Sequence, residues 1–181
     1  MNGRELLIGV TGGIAAFKTA ALVSRLVQAG AGVTVIMTKS ATELIGPKTF
    51  EALTGRPVGI GLFEDSPHPH IELGSNAELM CVAPATANLL AKAAHGLADD
   101  LLSTTLLAFD GPIIMAPAMN TRMWEKPAVQ RNVKKLEEDG VLMVGPEEGY
   151  LSCGQYGGGR MASPEKIFEA IGDKLRMSKS E

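Results

Sequence analysis

Aromatic side chains make up only 4% of this 181-residue chain, and it has two cysteines, Cys81 and Cys153. The cysteines form neither a CxxC pair nor a zinc-ligand spacing. That excludes a disulfide framework, gives no metal-ligand set, and makes a reducing, cytoplasmic setting the expectation. Charge of one sign is also lacking: 17 basic residues against 20 acidic leave a net −3, which argues against a nucleic-acid partner. No apolar run approaches the ~18 residues of a membrane span. The stretch Leu6-Leu7-Ile8-Gly9-Val10 after Arg4 imitates a secretory signal only faintly, because Glu5 stands beside Arg4 and Thr11-Gly12-Gly13 breaks it early. Two nucleotide signatures are missing as well. Thr11-Gly12-Gly13 lacks the third glycine of GxGxxG, and no GxxxxGK[ST] occurs.

What is present suits one globular domain over residues 1–181, with 45% hydrophobic residues and 21 glycines, a glycine share well above the usual ~7%. Short apolar runs alternate with helical periodicity. Leu6–Val10, Val33–Met37, Leu79–Ala83, Pro112–Ala116 and Val141–Val144 read as strands. Ile14–Ala29, Ser40–Leu44, Pro47–Leu53, Ala87–Ala94, Leu101–Ala108, Ala128–Asp139 and Pro164–Lys174 read as helices. In the first helix the spacing of Phe17, Ala20, Ala21, Val23 and Val27 predicts the buried face. Residues 58–75 read as loop with at most one short strand, and 145–161 as a loop. Near-continuous apolar strands alternating with helices predict an α/β fold: a Rossmann-like or flavodoxin-like parallel sheet with helices on both faces.

In such sheets ligands gather outside the carboxyl ends of the strands. The residues there are Thr11-Gly12-Gly13-Ile14, Thr38-Lys39-Ser40, Pro84-Ala85-Thr86-Ala87-Asn88 and Pro117-Ala118-Met119-Asn120. All four sets are rich in small or hydrogen-bonding residues, and several open into helices whose N-termini favour phosphate. Gly12-Gly13 alone is equally a tight turn. The four loops together indicate a phosphorylated cofactor or a nucleotide.

Five segments resemble one family: Gly12–Lys18 (GGIAAFK), Ala83–Asn88 (APATAN), Gly96–Thr105 (GLADDLLSTT), Pro117–Trp124 (PAMNTRMW) and Ser152–Met161 (SCGQYGGGRM). They are similar to the flavin-dependent cysteine decarboxylases, and most of all to those acting on 4′-phosphopantothenoylcysteine in coenzyme A biosynthesis. The likeness runs from about Leu6 to Ile171. It implies an FMN-dependent carboxy-lyase whose cofactor contacts are Gly12, Gly13, Ile14, Thr38, Ser40, Thr86, Ala87, Asn88, Leu89 and Ala118. Leu89 departs from the pattern, since many relatives carry Thr or Ser there. The resemblance further implies His70 as the active-site base, because it precedes Ile71-Glu72-Leu73; His68 and His95 lack that context. It also implies that Asn120 holds the substrate and that Cys153 donates a proton. From the residues alone, Asn120 is equally a turn former or helix cap, Cys153 a small buried hydrophobe, and Arg160 a surface cation. The glycines around Cys153 suggest a mobile loop over a site.

The implied chemistry oxidises the carbon beside sulfur to a thioaldehyde, which accepts the electrons left by CO₂ and becomes an enethiol. The enethiol is then reduced to 4′-phosphopantetheine. Relatives assemble as homotrimers or dodecamers. About ten residues follow the last helix core, so the expectation is a free-standing decarboxylase or the N-terminal piece of a ligase fusion. Alternatives are a decarboxylase of a peptidyl cysteine, a flavin prenyltransferase, a non-catalytic flavin-binding regulator and a plain dinucleotide-binding protein.

Overall fold

The computed structural model describes residues 1–63, 67–152 and 154–177. In chain order the elements are β1 (Glu5–Val10), α1 (Ala16–Gln28), β2 (Gly32–Met37), α2 (Lys39–Thr42), α3 (Pro47–Thr54), β3 (Val58–Gly59), α4 (Pro69–Ser75) and β4 (Leu79–Ala85). There follow α5 (Ala87–His95), α6 (Leu101–Ala108), β5 (Ile113–Pro117), α7 (Thr121–Trp124), α8 (Pro127–Glu138), β6 (Leu142–Met143), β7 (Glu147–Tyr150), β8 (Tyr156–Arg160) and α9 (Pro164–Met177).

Six strands form one parallel sheet in the order β3-β2-β1-β4-β5-β6. Chain direction across the sheet reverses between β1 and β4. That junction is where a doubly wound sheet opens a crevice at its carboxyl edge. Period-two alternation survives inside the apolar strands. Leu6, Ile8, Val10, Val33, Val35, Leu79 and Cys81 join one core with Leu22 and Leu26 of α1, Phe50 of α3 and Ile167 and Ile171 of α9. Leu7, Ile36, Met80 and Val82 join the other with Leu90 of α5, Leu102 and Leu106 of α6 and Leu136 of α8. The parallel sheet covered on both faces is the architecture expected from the alternating pattern.

Three local expectations need correction. The buried residues of α1 are Ala16, Thr19, Leu22, Val23 and Leu26, so of the predicted face only Val23 is fully buried and Phe17 is 63% exposed. Alanine and threonine carry little hydropathy, and a phenylalanine beside a functional loop misleads the periodicity. Residues 58–75 contain helix α4, which starts at Pro69 and packs against α6. The segment 145–161 is an antiparallel hairpin, β7 with β8. Its glycines have low strand propensity and hide it from any pattern-based reading. A short helix, α7, follows Asn120. Among the described residues no helix is long and apolar enough to cross a membrane, and no cluster of His, Cys, Asp and Glu could hold a metal ion.

Candidate functional site

The carboxyl edge of β1, β4 and β5 opens into a cavity of about 710 Å³, a size that suits a cofactor or drug-sized ligand. Its floor is the β1–α1 turn: Gly12, Gly13 and Ile14. Thr11 at the end of β1 donates its hydroxyl to the Pro84 carbonyl at 2.6 Å and accepts from the Thr86 N–H at 3.2 Å. These two bonds lock the first and third ligand loops together across the switch point. The first turn of α1 lacks an acidic residue, and Ala15 gives it no side-chain cap, so the positive end of the helix is left for an outside anion.

Gly12 is required by close approach. A Cβ there would lie 2.4 Å from Ser40 Oγ, so only glycine lets the hydroxyl of Ser40 reach the turn. Ser40 Oγ is also 3.1 Å from Thr38 Oγ1, and Thr38 caps α2 by accepting from the Ala41 N–H. Bare glycine backbone, two hydroxyls and an uncapped helix end thus converge where a phosphate-bearing ligand can be held. Ile14 and Met123 are large apolar side chains at the cavity, 56% and 48% exposed, and they suit the flat face of a ring system. The residues present therefore fit a flavin mononucleotide.

The opposite wall is made by the hairpin and the β5–α7 junction. β8 docks on that junction through main-chain groups. The Met119 N–H donates to the Gly159 carbonyl at 2.9 Å, and Thr121 Oγ1 donates to the Gly158 carbonyl at 2.7 Å. Gly159 sits at φ +108°, where a Cβ would fall 2.3 Å from the Met119 oxygen. The glycine run is therefore a docked strand, in contrast to the loop expected there. Asn120 lines the cavity and caps α7, its Oδ1 accepting from the Met123 N–H at 3.1 Å. The helix-cap reading of Asn120 holds, and because the cap occupies the oxygen it leaves Nδ2 as the donating end.

Of the expected contact residues, Gly12, Gly13, Ile14, Ser40, Thr86, Ala87, Asn88, Ala118 and Asn120 line this cavity. Thr38 and Leu89 instead line a second cavity of about 670 Å³, and Ser40, Thr86 and Asn88 line both. Leu89 is 2% exposed and belongs to the core, which accounts for an apolar residue at that position. His70 lines neither cavity. It sits on α4 with Nδ1 buried and unpartnered and the His68 ring edge-on at 6.3 Å. Cys153 lies outside the described residues, between Ser152, which lines the cavity, and Gly154. Cys81 is buried in β4, and burial pushes its thiol up to about 12, which makes it inert.

The cavity also takes in Phe17, Lys18, Met119, Met123, Tyr150 and Met161; all but Tyr150 lie in the motif segments quoted above, though none of the six was named as a site residue. Phe17 and Lys18 were legible in one respect: they occupy the first turn after the glycine loop. Tyr150 and Met161 depend on the hairpin, which the sequence pattern conceals.

Residues 1–176 match the family model described as Flavoprotein. The coenzyme A biosynthesis bifunctional protein CoaBC of Bacillus subtilis (strain 168) is 49% identical over 172 residues, covering 93% of this chain and 42% of that protein. This chain thus spans about two fifths of the length of that curated relative. The crystal structure of the FMN-dependent cysteine decarboxylase SpaF superposes with a TM-score of 0.86 at 38% identity, covering 98% of each chain. A cysteine-to-serine mutant of PPC decarboxylase complexed with pantothenoylaminoethenethiol superposes at 0.85 with 30% identity, covering 98% of this chain and 99% of that one. With the crevice at the switch point, the docked hairpin and these likenesses together, the chain belongs to the flavoprotein family that includes the FMN-dependent cysteine decarboxylases.

Proposed function

We propose that this chain is a flavoprotein domain that binds FMN and decarboxylates 4′-phosphopantothenoylcysteine to 4′-phosphopantetheine, a step toward coenzyme A. The observation that carries the reading is the meeting of Gly12-Gly13, Thr86-Ala87-Asn88, Ala118-Met119-Asn120 and the glycine strand β8 at one cavity. The PPC decarboxylase neighbour, complexed with an enethiol, supports the same chemistry. When bound, FMN supplies the oxidation of the carbon beside sulfur and its later reversal, which gives a cysteine carboxylate the electron sink it lacks.

The protein's own groups hold and protonate the substrate. Asn120 donates Nδ2 to the substrate carboxylate. A neutral amide orients that group without the full charge pairing that would stabilise it against departure as CO₂. His70 serves as the base. Its place on α4, outside the cavity of its own chain, supports a homo-oligomer, trimeric or dodecameric, in which a neighbouring copy completes the site. The exposed Ile14, Phe17 and Phe63 support the same assembly. Cys153 donates the proton of the final reduction, since a thiol of pKa ~8.5 is a far better donor near neutrality than a serine hydroxyl. The chain is placed in the cytoplasm, where coenzyme A is made.

The test combines spectroscopy with product analysis. Purified protein is expected to be yellow, to release FMN on denaturation and to evolve CO₂ from 4′-phosphopantothenoylcysteine. The Cys153→Ser variant is expected to keep its flavin and still release CO₂, yielding a product two hydrogens lighter than 4′-phosphopantetheine. Release of FAD or NAD in place of FMN, or absence of CO₂ from the flavin-loaded protein, refutes the reading.

A further inference from the structure

The pairing of β4 is interrupted just before the third ligand loop. β1 and β4 pair from Leu6↔Leu79 to Gly9↔Val82, and the β4–β5 register shifts between Val82 and Ala85. A register break of this kind re-aims the residues beyond it. Two buried carbonyls lie inside the break, those of Ala83 and Pro84, and each is met by a threonine hydroxyl. Thr19 Oγ1 of α1 donates to the Ala83 carbonyl at 2.7 Å, and Thr11 Oγ1 donates to that of Pro84 at 2.6 Å. Both threonines are buried. Thr11 carries a second bond that reaches the loop itself: its oxygen accepts from the Thr86 N–H at 3.2 Å. Thr86 opens the Thr86-Ala87-Asn88 loop at the cavity and caps α5 by accepting from the Leu89 N–H.

Thr11 lines the second cavity and not the first, and its one O–H is committed to Pro84, so it has no proton to offer a ligand. It acts through the loop. Valine there would keep the branched shape but leave a buried carbonyl and the Thr86 N–H unpaired, whereas serine would keep both bonds. The turn and the loop are in contact at the same place: a Cβ on Gly13 would fall 3.4 Å from Pro84 Cγ and 3.5 Å from Thr86 Cγ2. The Ala118 N–H donates to the Ala85 carbonyl at 3.1 Å, which carries the same placement to the loop after β5. We infer that Thr11 is a positioning residue for the cofactor: its hydroxyl sets the Thr86-Ala87-Asn88 loop against the Gly12-Gly13 turn and thereby governs how tightly and in what orientation FMN is held. Thr19 anchors the strand end alone. This inference rests on the FMN part of the proposed function.

The test uses flavin-loaded Thr11→Val, Thr11→Ser and Thr19→Val proteins. Release of FMN on dilution is followed by the recovery of free-flavin fluorescence, the placement of the bound ring by visible circular dichroism, and stability by thermal unfolding at saturating FMN. Thr11→Val is expected to bind FMN about tenfold or more weakly, as loss of a buried hydrogen bond with orphaned partners requires, and to change the visible circular dichroism. Thr11→Ser is expected to stay within about threefold of wild type and to keep its spectrum. Thr19→Val is expected to lower Tm yet hold FMN within about threefold of wild type, which separates positioning from packing. Should Thr11→Val fail to fold, the smaller Thr11→Ala is measured in its place against the same outcomes. Wild-type affinity and spectrum in the variant without the hydroxyl overturn the inference. So does an equal loss of affinity in Thr11→Ser, or in Thr19→Val, which would make the bonds general supports of the fold. Wild-type protein that takes up no FMN refutes the cofactor reading and takes this inference with it.

Discussion

Replacing Gly159 by alanine tests whether the hairpin is a docked wall of the site. The added Cβ would lie 2.3 Å from the Met119 oxygen and 3.3 Å from the Met119 carbonyl carbon, backbone atoms that no rotamer change can move. An ordinary C···O contact is about 3.3 Å or longer, so β8 or the β5–α7 junction must give by roughly 1 Å. Non-glycine strain at φ +108° costs about 1–3 kcal/mol. The bonds from Met119 N–H to Gly159 and from Thr121 Oγ1 to Gly158 contribute about 1 kcal/mol each. The sum is about 3–5 kcal/mol, which at ~2–4 °C per kcal/mol lowers Tm by roughly 6–20 °C. Thermal unfolding should be followed at a fixed excess of flavin, because a ligand bound to the native state raises Tm by mass action. Turnover should fall further than flavin content, since the shifted atoms adjoin Asn120 rather than the Gly12 turn. A Tm within ~2 °C of wild type together with full turnover would refute the docked-strand argument.

Three other perturbations have defined outcomes. Asn120→Asp keeps the α7 cap, because Asp caps as well as Asn. It sets a carboxylate facing the substrate's own, at ~1 kcal/mol of repulsion even in bulk water, so flavin is retained and CO₂ release drops; near-normal turnover removes Asn120 from the site. His70→Asn is expected to keep flavin and lose turnover, and an active variant removes the base. The third concerns Asp100, which caps α6 and meets Lys92 Nζ at 2.7 Å. Burial pushes this carboxyl up, but hydrogen bonds from Lys92 and Ser103 outweigh it and leave it below its usual range. A depressed folded-state value stabilises the protein above the unfolded pKa of ~3.9, and that stability is lost as pH falls through the folded value. Asp100→Asn should therefore lower the urea midpoint at pH 7, by about 1–2 kcal/mol in stability, and the gap to wild type should close below about pH 4. A gap that persists undiminished at pH 3 counts against this pairing.

Much of the scaffold was legible from residue order, because it rests on local chemistry. β1 and β4 are unbroken apolar runs, which only a doubly covered parallel sheet accommodates. Pro47 at a first turn and Gly30 after α1 mark helix ends through backbone restrictions that need no partner. The loops after β1, β4 and β5 could be picked out as ligand loops for the same reason, since their position relative to the strands is topological. The tertiary structure alone decided the rest. That Leu89 packs in the core while Phe17 faces the cavity depends on which neighbours cover each helix, and hydropathy carries no record of that. The β7–β8 hairpin is written in glycines, whose role is to let one backbone approach another, so its meaning appears only once Met119 is beside Gly159. Lys18 and Arg160, 142 positions apart in the chain, line one cavity through the docking of that hairpin on the switch point. Electrostatic coupling acts through space, and only the folded chain brings those two charges to one cavity.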